Sequence, residues 1–312
     1  MKYALRALGG AMVTIVIASL IVFALLSLAP GDPAAALAGN RATPESIEAI
    51  REQLGLNRPL LVRYVAWLGG AIHGDFGQSL QFRQSVGSLL APRLGTTLIL
   101  VLFAFLLILI FGVGLGLLPS LFRPSGWFVV VVAGIGIAVP TFVAALVLIQ
   151  VFALNLGWFP VLATSEGDLR DRVWHLTLPA IALALSWTAY VAQITRASVR
   201  EQERGEHVET ALSRGVPPRT VFRKHVLRNA SVPIVTIAGL TMAGLIAGSI
   251  VVETAFGIGG IGSLLVKSVS AKDYDVVLAI SLILVVAFVI ATTLSDLAHA
   301  ALDPRVRARR SS

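Results

Sequence analysis

Residues 94–122 read LGTTLILVLFAFLLILIFGVGLGLLPSLF and contain no Asp, Glu, Lys or Arg. A run of this length exceeds the about 20 apolar residues that a helix needs to cross a hydrocarbon core. Five more charge-free windows occur, at 7–31, 124–165, 173–195, 229–252 and 276–295. Together they predict an all-α integral membrane protein with six transmembrane helices, since a helix satisfies its own backbone in lipid. Composition agrees: of 312 residues, 56% are hydrophobic and 13% charged, with a mean hydropathy of +0.84. Soluble chains are about one quarter charged, so a disordered protein and a water-soluble enzyme of the usual kind are both excluded. There is no cysteine, which removes disulfides, thiolate metal sites and a cysteine nucleophile together.

The window 124–165 is long enough for two spans. We read one helix over 127–153, kinked in mid-membrane by Pro140 and followed by an interfacial segment at 155–160, with Trp127 and Trp158 at the levels where aromatic belts lie. The first window follows Lys2 and Arg6 as a signal peptide would, but it is too long for such an apolar region and lacks a good cleavage site, so it is retained as a span. With the N-terminus inside, the inner segments 1–6, 119–126, 196–230 and 296–312 carry 15 basic and 6 acidic residues, and the rest carries 10 and 11. The net charge of +8 is therefore an orientation signal with both termini cytoplasmic, not a nucleic-acid footprint.

Residues 32–93, between the first two spans, are not a linker. Thr43-Pro44-Glu45 is an N-terminal cap pattern, Ile47, Ile50 and Leu54 share a face, and Gly55 is a stop. A second helix begins at Pro59 with an apolar face of Leu60, Tyr64, Trp67 and Leu68, and Gly69-Gly70 are expected to end it. A cap packed on the bundle and a docking surface for an external partner both fit this pattern. Tyr64, Trp67, Asp75 and Phe76 are the candidate docking residues.

None of the four lysines follows a glycine, so a Gly-Lys-Ser/Thr phosphate loop is excluded; neither His-Glu-x-x-His nor Gly-x-Ser-x-Gly occurs, and the five histidines are scattered. Gly257-x-Gly259-x-x-Gly262 has the letters of a dinucleotide fingerprint but follows a span, and reads better as a sharp turn. Gly112-x-x-x-Gly116 and Gly244-x-x-x-Gly248 lie within spans, where glycine lets helices approach closely. The fifth span is rich in small residues, which suits a close helix interface or the lining of a passage. No span carries a charged residue at its centre, which disfavours an ion-coupled carrier.

In the inner loop 198–230, Val208, Ala211 and Leu212 form one face of a short helix whose other side carries Arg204, Glu206, His207 and Arg214. Gly215 ends it, and Pro217-Pro218 starts a second short helix with Val221, Phe222 and Val226. Such a helix lies on the membrane surface or fits a groove on a soluble partner. Glu209-Thr210-Ala211-x-x-x-Gly215 resembles the EAA loop of the integral-membrane subunits of bacterial ABC importers, with Thr210 where that pattern has alanine. Further segments are similar to the B-type permeases of dipeptide, oligopeptide and nickel importers: Ala29-Pro-Gly-Asp-Pro33, Leu54-Gly-Leu-x-x-Pro59, Gly74-Asp75-Phe-Gly77-x-Ser79, Leu178-Pro179-Ala180, Thr195-Arg196-Ala-Ser198, His225-Val-Leu-Arg228-Asn229-Ala-x-Val-Pro233, Val252-Glu253-Thr-x-Phe256, Asp273-Tyr274 and Asp303-Pro304-Arg305.

The resemblance implies a type I ABC importer permease fold with a first span at 1–31, a helical extracytoplasmic segment at 32–93, a core at 94–303 and a cytoplasmic tail at 304–312. It implies a bacterial cytoplasmic (inner) membrane location, a second homologous permease forming a heterodimer, two ATPase subunits that hold ATP and Mg, and an extracytoplasmic substrate-binding protein. This chain itself would hold no cofactor and catalyse nothing. Val208, Glu209, Thr210, Ala211, Leu212, Arg214 and Gly215 would couple it to the ATPases; Pro140, Tyr190, Thr241, Met242 and Ser249 are expected along the passage. The expected substrate is a peptide. Nickel or another small solute is the alternative within the family, and an autonomous carrier or channel is the alternative outside it.

Overall fold

The computed structural model describes residues 2–28, 33–38, 43–53, 55–122, 125–162 and 168–302. Among them the regular elements are helical, with an isolated bridge between Gln78 and Ser85. A peripheral part comprises α1 (Lys2–Ser27), α2 (Pro33–Ala38), α3 (Pro44–Gln53) and α4 (Leu60–Ile72). The rest comprises α5 (Val86–Leu121), α6 (Gly126–Ala138), α7 (Thr141–Asn155), α8 (Leu169–His175), α9 (Thr177–Glu203), α10 (Glu206–Ser213), α11 (Pro218–Ala255), α12 (Ile261–Ser270) and α13 (Tyr274–Leu302). Five helices, α1, α5, α9, α11 and α13, are long and apolar enough to cross a membrane.

The sixth expected span differs from its sequence reading. Instead of one kinked helix over 127–153, α6 and α7 meet at 98°. Val139 is extended (φ −82°, ψ 116°), the conformation that a following proline imposes by crowding. Pro140 donates nothing to the helix, so the ladder stops, and the freed carbonyl of Val139 accepts a hydrogen bond from Ser186 Oγ of α9 at 3.0 Å. That partner makes a full break tolerable where a lone proline would only kink.

Helix α9 is the hub, packed on α5, α6, α7 and α11, while α11 and α1 both pack on α13. Lipid supplies no hydrophobic drive between helices, so association depends on close fit. Both glycine pairs singled out in the sequence face α9. A Cβ on Gly112 would stand 3.0 Å from Val191 Cβ, and one on Gly116 would stand 2.5 Å from Thr195 Cβ. From the other side, Gly244 fits against the Trp187 ring and Gly248 against Leu183. The buried core follows this seam, with Leu183 and Val191 of α9 meeting Leu100 and Ile108 of α5 and Leu245 and Val252 of α11.

Two further boundaries move. Gly69 and Gly70 do not end α4, which continues to Ile72 before Gly74 turns with φ +83°. Glycine costs a helix about 1 kcal/mol, and the packing of this helix on α1 offsets that cost. The second short helix of the inner loop is the beginning of α11, joined to the span through a π-helical stretch, Phe222–Leu227. Leu54, most of Ala29-Pro-Gly-Asp-Pro33, Asp303-Pro304-Arg305 and the 304–312 tail lie outside the described residues.

Candidate functional site

At one end of the bundle α10 connects α9 to α11. Its amphipathic sequence turns Val208 and Ala211 inward onto Val199 of α9 and Val221, Val226 and Ala230 of α11. The helix ends in a Schellman pattern: Gly215 N donates to Leu212 O at 2.9 Å and Val216 N to Ala211 O at 3.2 Å. This requires the φ of +76° that Gly215 adopts, where a side chain would be strained. At the other terminus His207 Nε2 stands 3.4 Å from Asn229 Nδ2 on α11. The helix is thereby held against both spans that it connects, by its buried face and by this contact.

Glu209, Thr210 and Arg214 are exposed, as is Gly215. Leu212, read on one face with Val208 and Ala211, is instead 45% exposed, as Glu209 and Thr210 are exposed. Of the residues in this eight-residue helix, Val208 and Ala211 are the buried ones. The expected coupling residues thus divide into two that seat the helix, one that ends it, and four that stand free on its surface.

At the opposite end, distant segments are tied together by buried side chains. Ser79 Oγ donates to Asp273 Oδ2 at 2.5 Å, and Gln81 N donates to the same oxygen at 3.2 Å. Ser79 Oγ also accepts from Phe82 N. Gly77 lies so close to Asp275 that a Cβ would stand 2.6 Å from Oδ2. Deeper, Glu253 is 0% exposed at the end of α11. Its Oε1 accepts from Thr97 Oγ1 of α5 at 2.6 Å and its Oε2 from Ser263 N of α12 at 3.0 Å, while Thr97 Oγ1 accepts from Ile261 N. Gly260 and Gly262 have no room for side chains beside this carboxylate. The turn expected at Gly257-x-Gly259-x-x-Gly262 is present, with Gly257 at φ +65°, and Gly260 and Gly262 within it make space for Glu253. These pairings were not read from the sequence, although the segments containing them were singled out; their partners are 156 and 194 positions apart.

The expected docking residues do not form one surface. Tyr64 is buried against Phe23 of α1 and bonded to Ser19 Oγ at 2.8 Å, Trp67 packs on the same cluster, and Phe76 packs on the α5, α12 and α13 core. Asp75 is exposed, with Oδ1 accepting from Gly77 N. The cap reading therefore accounts for three of these residues. Of the expected passage residues, Thr241 and Ser249 are sealed within the chain, their hydroxyls bonded back to Ile237 O and Ile246 O. Helix α11 turns that side towards its neighbours, so neither residue lines a surface. Met242 packs partly buried against the core, and Tyr190 and Pro140 are exposed.

The fold and the site define a multi-span helical membrane protein that carries a seated surface helix at one end. The family of the binding-protein-dependent transport system inner membrane component matches residues 108–308, and the N-terminal family of such membrane components matches residues 1–101. The chain belongs to this family and is a permease component of an ABC importer, a class of non-catalytic transport subunits. It is 36% identical over 311 residues to a probable peptide ABC transporter permease of Sinorhizobium fredii, covering 98% of this chain and 99% of the relative. It is also 36% identical over 310 residues to the glutathione transport system permease GsiC of Escherichia coli, with coverages of 98% and 99%. Among solved structures, the inward-facing methionine transporter MetNI aligns with 68% of this chain and 93% of its own, at 18% identity and a TM-score of 0.48.

Proposed function

We propose that this chain pairs with a second, homologous permease to form the passage through which an ATP-driven importer takes up small peptides across the bacterial inner membrane. An extracytoplasmic binding protein delivers the substrate at the α3–α4 end, and two separate ATPases, holding ATP and Mg, dock at the α10 end, where both chain termini also lie. The peptide class is supported by relatives named for peptide and glutathione transport, each aligned over nearly the whole chain.

The observation that carries the reading is α10. It is too short to span, its inward face is seated on α9 and α11, and its outer face offers Glu209, Thr210, Leu212 and Arg214. An apolar side chain flanked by an acid and a base suits a groove on a soluble partner better than a lipid surface. A push on such a helix passes directly to two spans, the arrangement needed to convert closure of the ATPases into repacking of the bundle.

The test is uptake by proteoliposomes containing the two permeases, the ATPases and the binding protein. Accumulation of a labelled dipeptide or tripeptide should require both ATP and the binding protein. Accumulation of nickel without peptide competition would reject the peptide reading, and uptake without ATPases would reject the importer reading.

A further inference from the structure

A cavity of about 760 Å³ opens between α1, the α3–α4 segment and the start of α13. Its apolar part includes Phe23 and Leu26, in the last turns of α1, and Leu278 of α13. Its polar part includes the guanidinium-bearing residues Arg51, Arg58 and Arg63. Arg51 is engaged by Glu48 at 2.6 Å, and Arg63 stands over the Phe23 ring at 5.7 Å. Arg58 is exposed and folds back over Gly55. Among the described residues of the lining, the acid is Asp275, which packs on Gly77 and accepts the backbone N–H of Gln78. Cationic groups are therefore in excess, above an apolar floor.

The position of the cavity narrows the class of ligand. It lies at the end of α1, where a spanning α1 would pass from hydrocarbon to headgroups. One wall is α1, which is exposed along much of its apolar length. Another is α4, whose Leu61, Val65 and Ile72 share a face by their spacing and are exposed beside its buried face. An exposed apolar face beside an arginine, Arg63, suits a short helix lying at a membrane interface. Guanidinium groups bind phosphate with two parallel hydrogen bonds. We propose that this cavity seats the phosphate headgroup of a membrane phospholipid, with Arg58 and Arg63 on the phosphate and Phe23, Leu26 and Leu278 along the upper acyl chains. The bound lipid would fasten the α3–α4 segment to the first span. This inference rests on α1 lying in the bilayer and not on the peptide reading.

The test uses the complete transporter, purified in detergent, with co-purified phospholipid measured by mass spectrometry. The wild type should retain phospholipid through size exclusion. Arg58→Gln/Arg63→Gln should retain about tenfold less, as expected from losing charge-assisted hydrogen bonds, and Arg170→Gln on α8 should match the wild type. Should the double variant fail to assemble, Arg58→Gln alone, at an exposed position, supplies the same reading with a smaller loss. A soluble short-chain phosphatidylglycerol should raise the unfolding temperature of delipidated wild type but not of Arg58→Gln, and inorganic phosphate should not reproduce the effect. Equal lipid retention in wild type and variants would overturn the proposal. Equal stabilisation by inorganic phosphate would make this a simple anion site, and unchanged lipid with lost binding-protein association would assign the cavity to a soluble partner; both results also overturn it.

Discussion

Glu253 and Thr97 hold three elements together through one hydroxyl. Thr97 donates to the buried carboxylate and accepts the Ile261 N–H at the start of α12. Thr97→Val keeps the shape and removes both bonds, leaving a carboxylate short of one donor and a backbone donor unpaired. The expected cost is roughly 2–4 kcal/mol, read as a lowered unfolding temperature of the detergent-purified transporter, whereas Thr97→Ser should retain most of the stability. Equal stability of Thr97→Val and wild type would mean that these bonds contribute little. Residue roles of this kind were only partly legible. Gly215 could be assigned from the sequence because helix termination is local chemistry, and its φ of +76° agrees. Tyr64 could not, because its aromatic face is equally suited to a partner or to α1, and only the position of Phe23 decides between them. The Ser79–Asp273 pair could not be read from spacing at all, since the separation of 194 residues records only that the chain returns to that end.

At the scale of elements, long charge-free windows locate spans well, because a membrane helix must be apolar over most of its length. Their ends are less legible. Helix α5 begins at Val86 and continues past Arg93, whose guanidinium bonds to Leu89 O within the same helix, so its charge did not mark a boundary. The break between α6 and α7 was legible as a proline but not as an angle, which depends on Ser186 of a distant helix. Spin labels at cysteines replacing Trp127 and Leu154, introduced into a chain without native cysteine, test it. A continuous helix would separate these positions by about 40 Å at about 1.5 Å per residue, whereas a 98° break brings them to about 26 Å. Pulsed dipolar measurements should give the shorter distance, and a distance near the longer value would restore a single span.

For the whole molecule, charge asymmetry and the two tied ends give one expected topology. That topology places the α3–α4 segment and α10 on opposite sides of the membrane, with α10 in the cytoplasm. Single cysteines at Ser46 and Ser213, both exposed, should react with an impermeant thiol reagent from outside and inside respectively; labelling of both from outside would sink this topology.

The central claim is that α10 couples separate ATPases to the spans, and the most direct measurement is substrate-stimulated ATP hydrolysis together with uptake in reconstituted complexes carrying Glu209→Lys or Gly215→Val. Valine at the left-handed position costs about 1–2 kcal/mol and tilts the seated helix, while lysine reverses the charge on its outer face. Both variants should insert and pair with the second permease. Uptake should nevertheless fall sharply, with the ATPases either dissociated or no longer stimulated by the loaded binding protein. Normal uptake with normal stimulation in both variants would contradict the account.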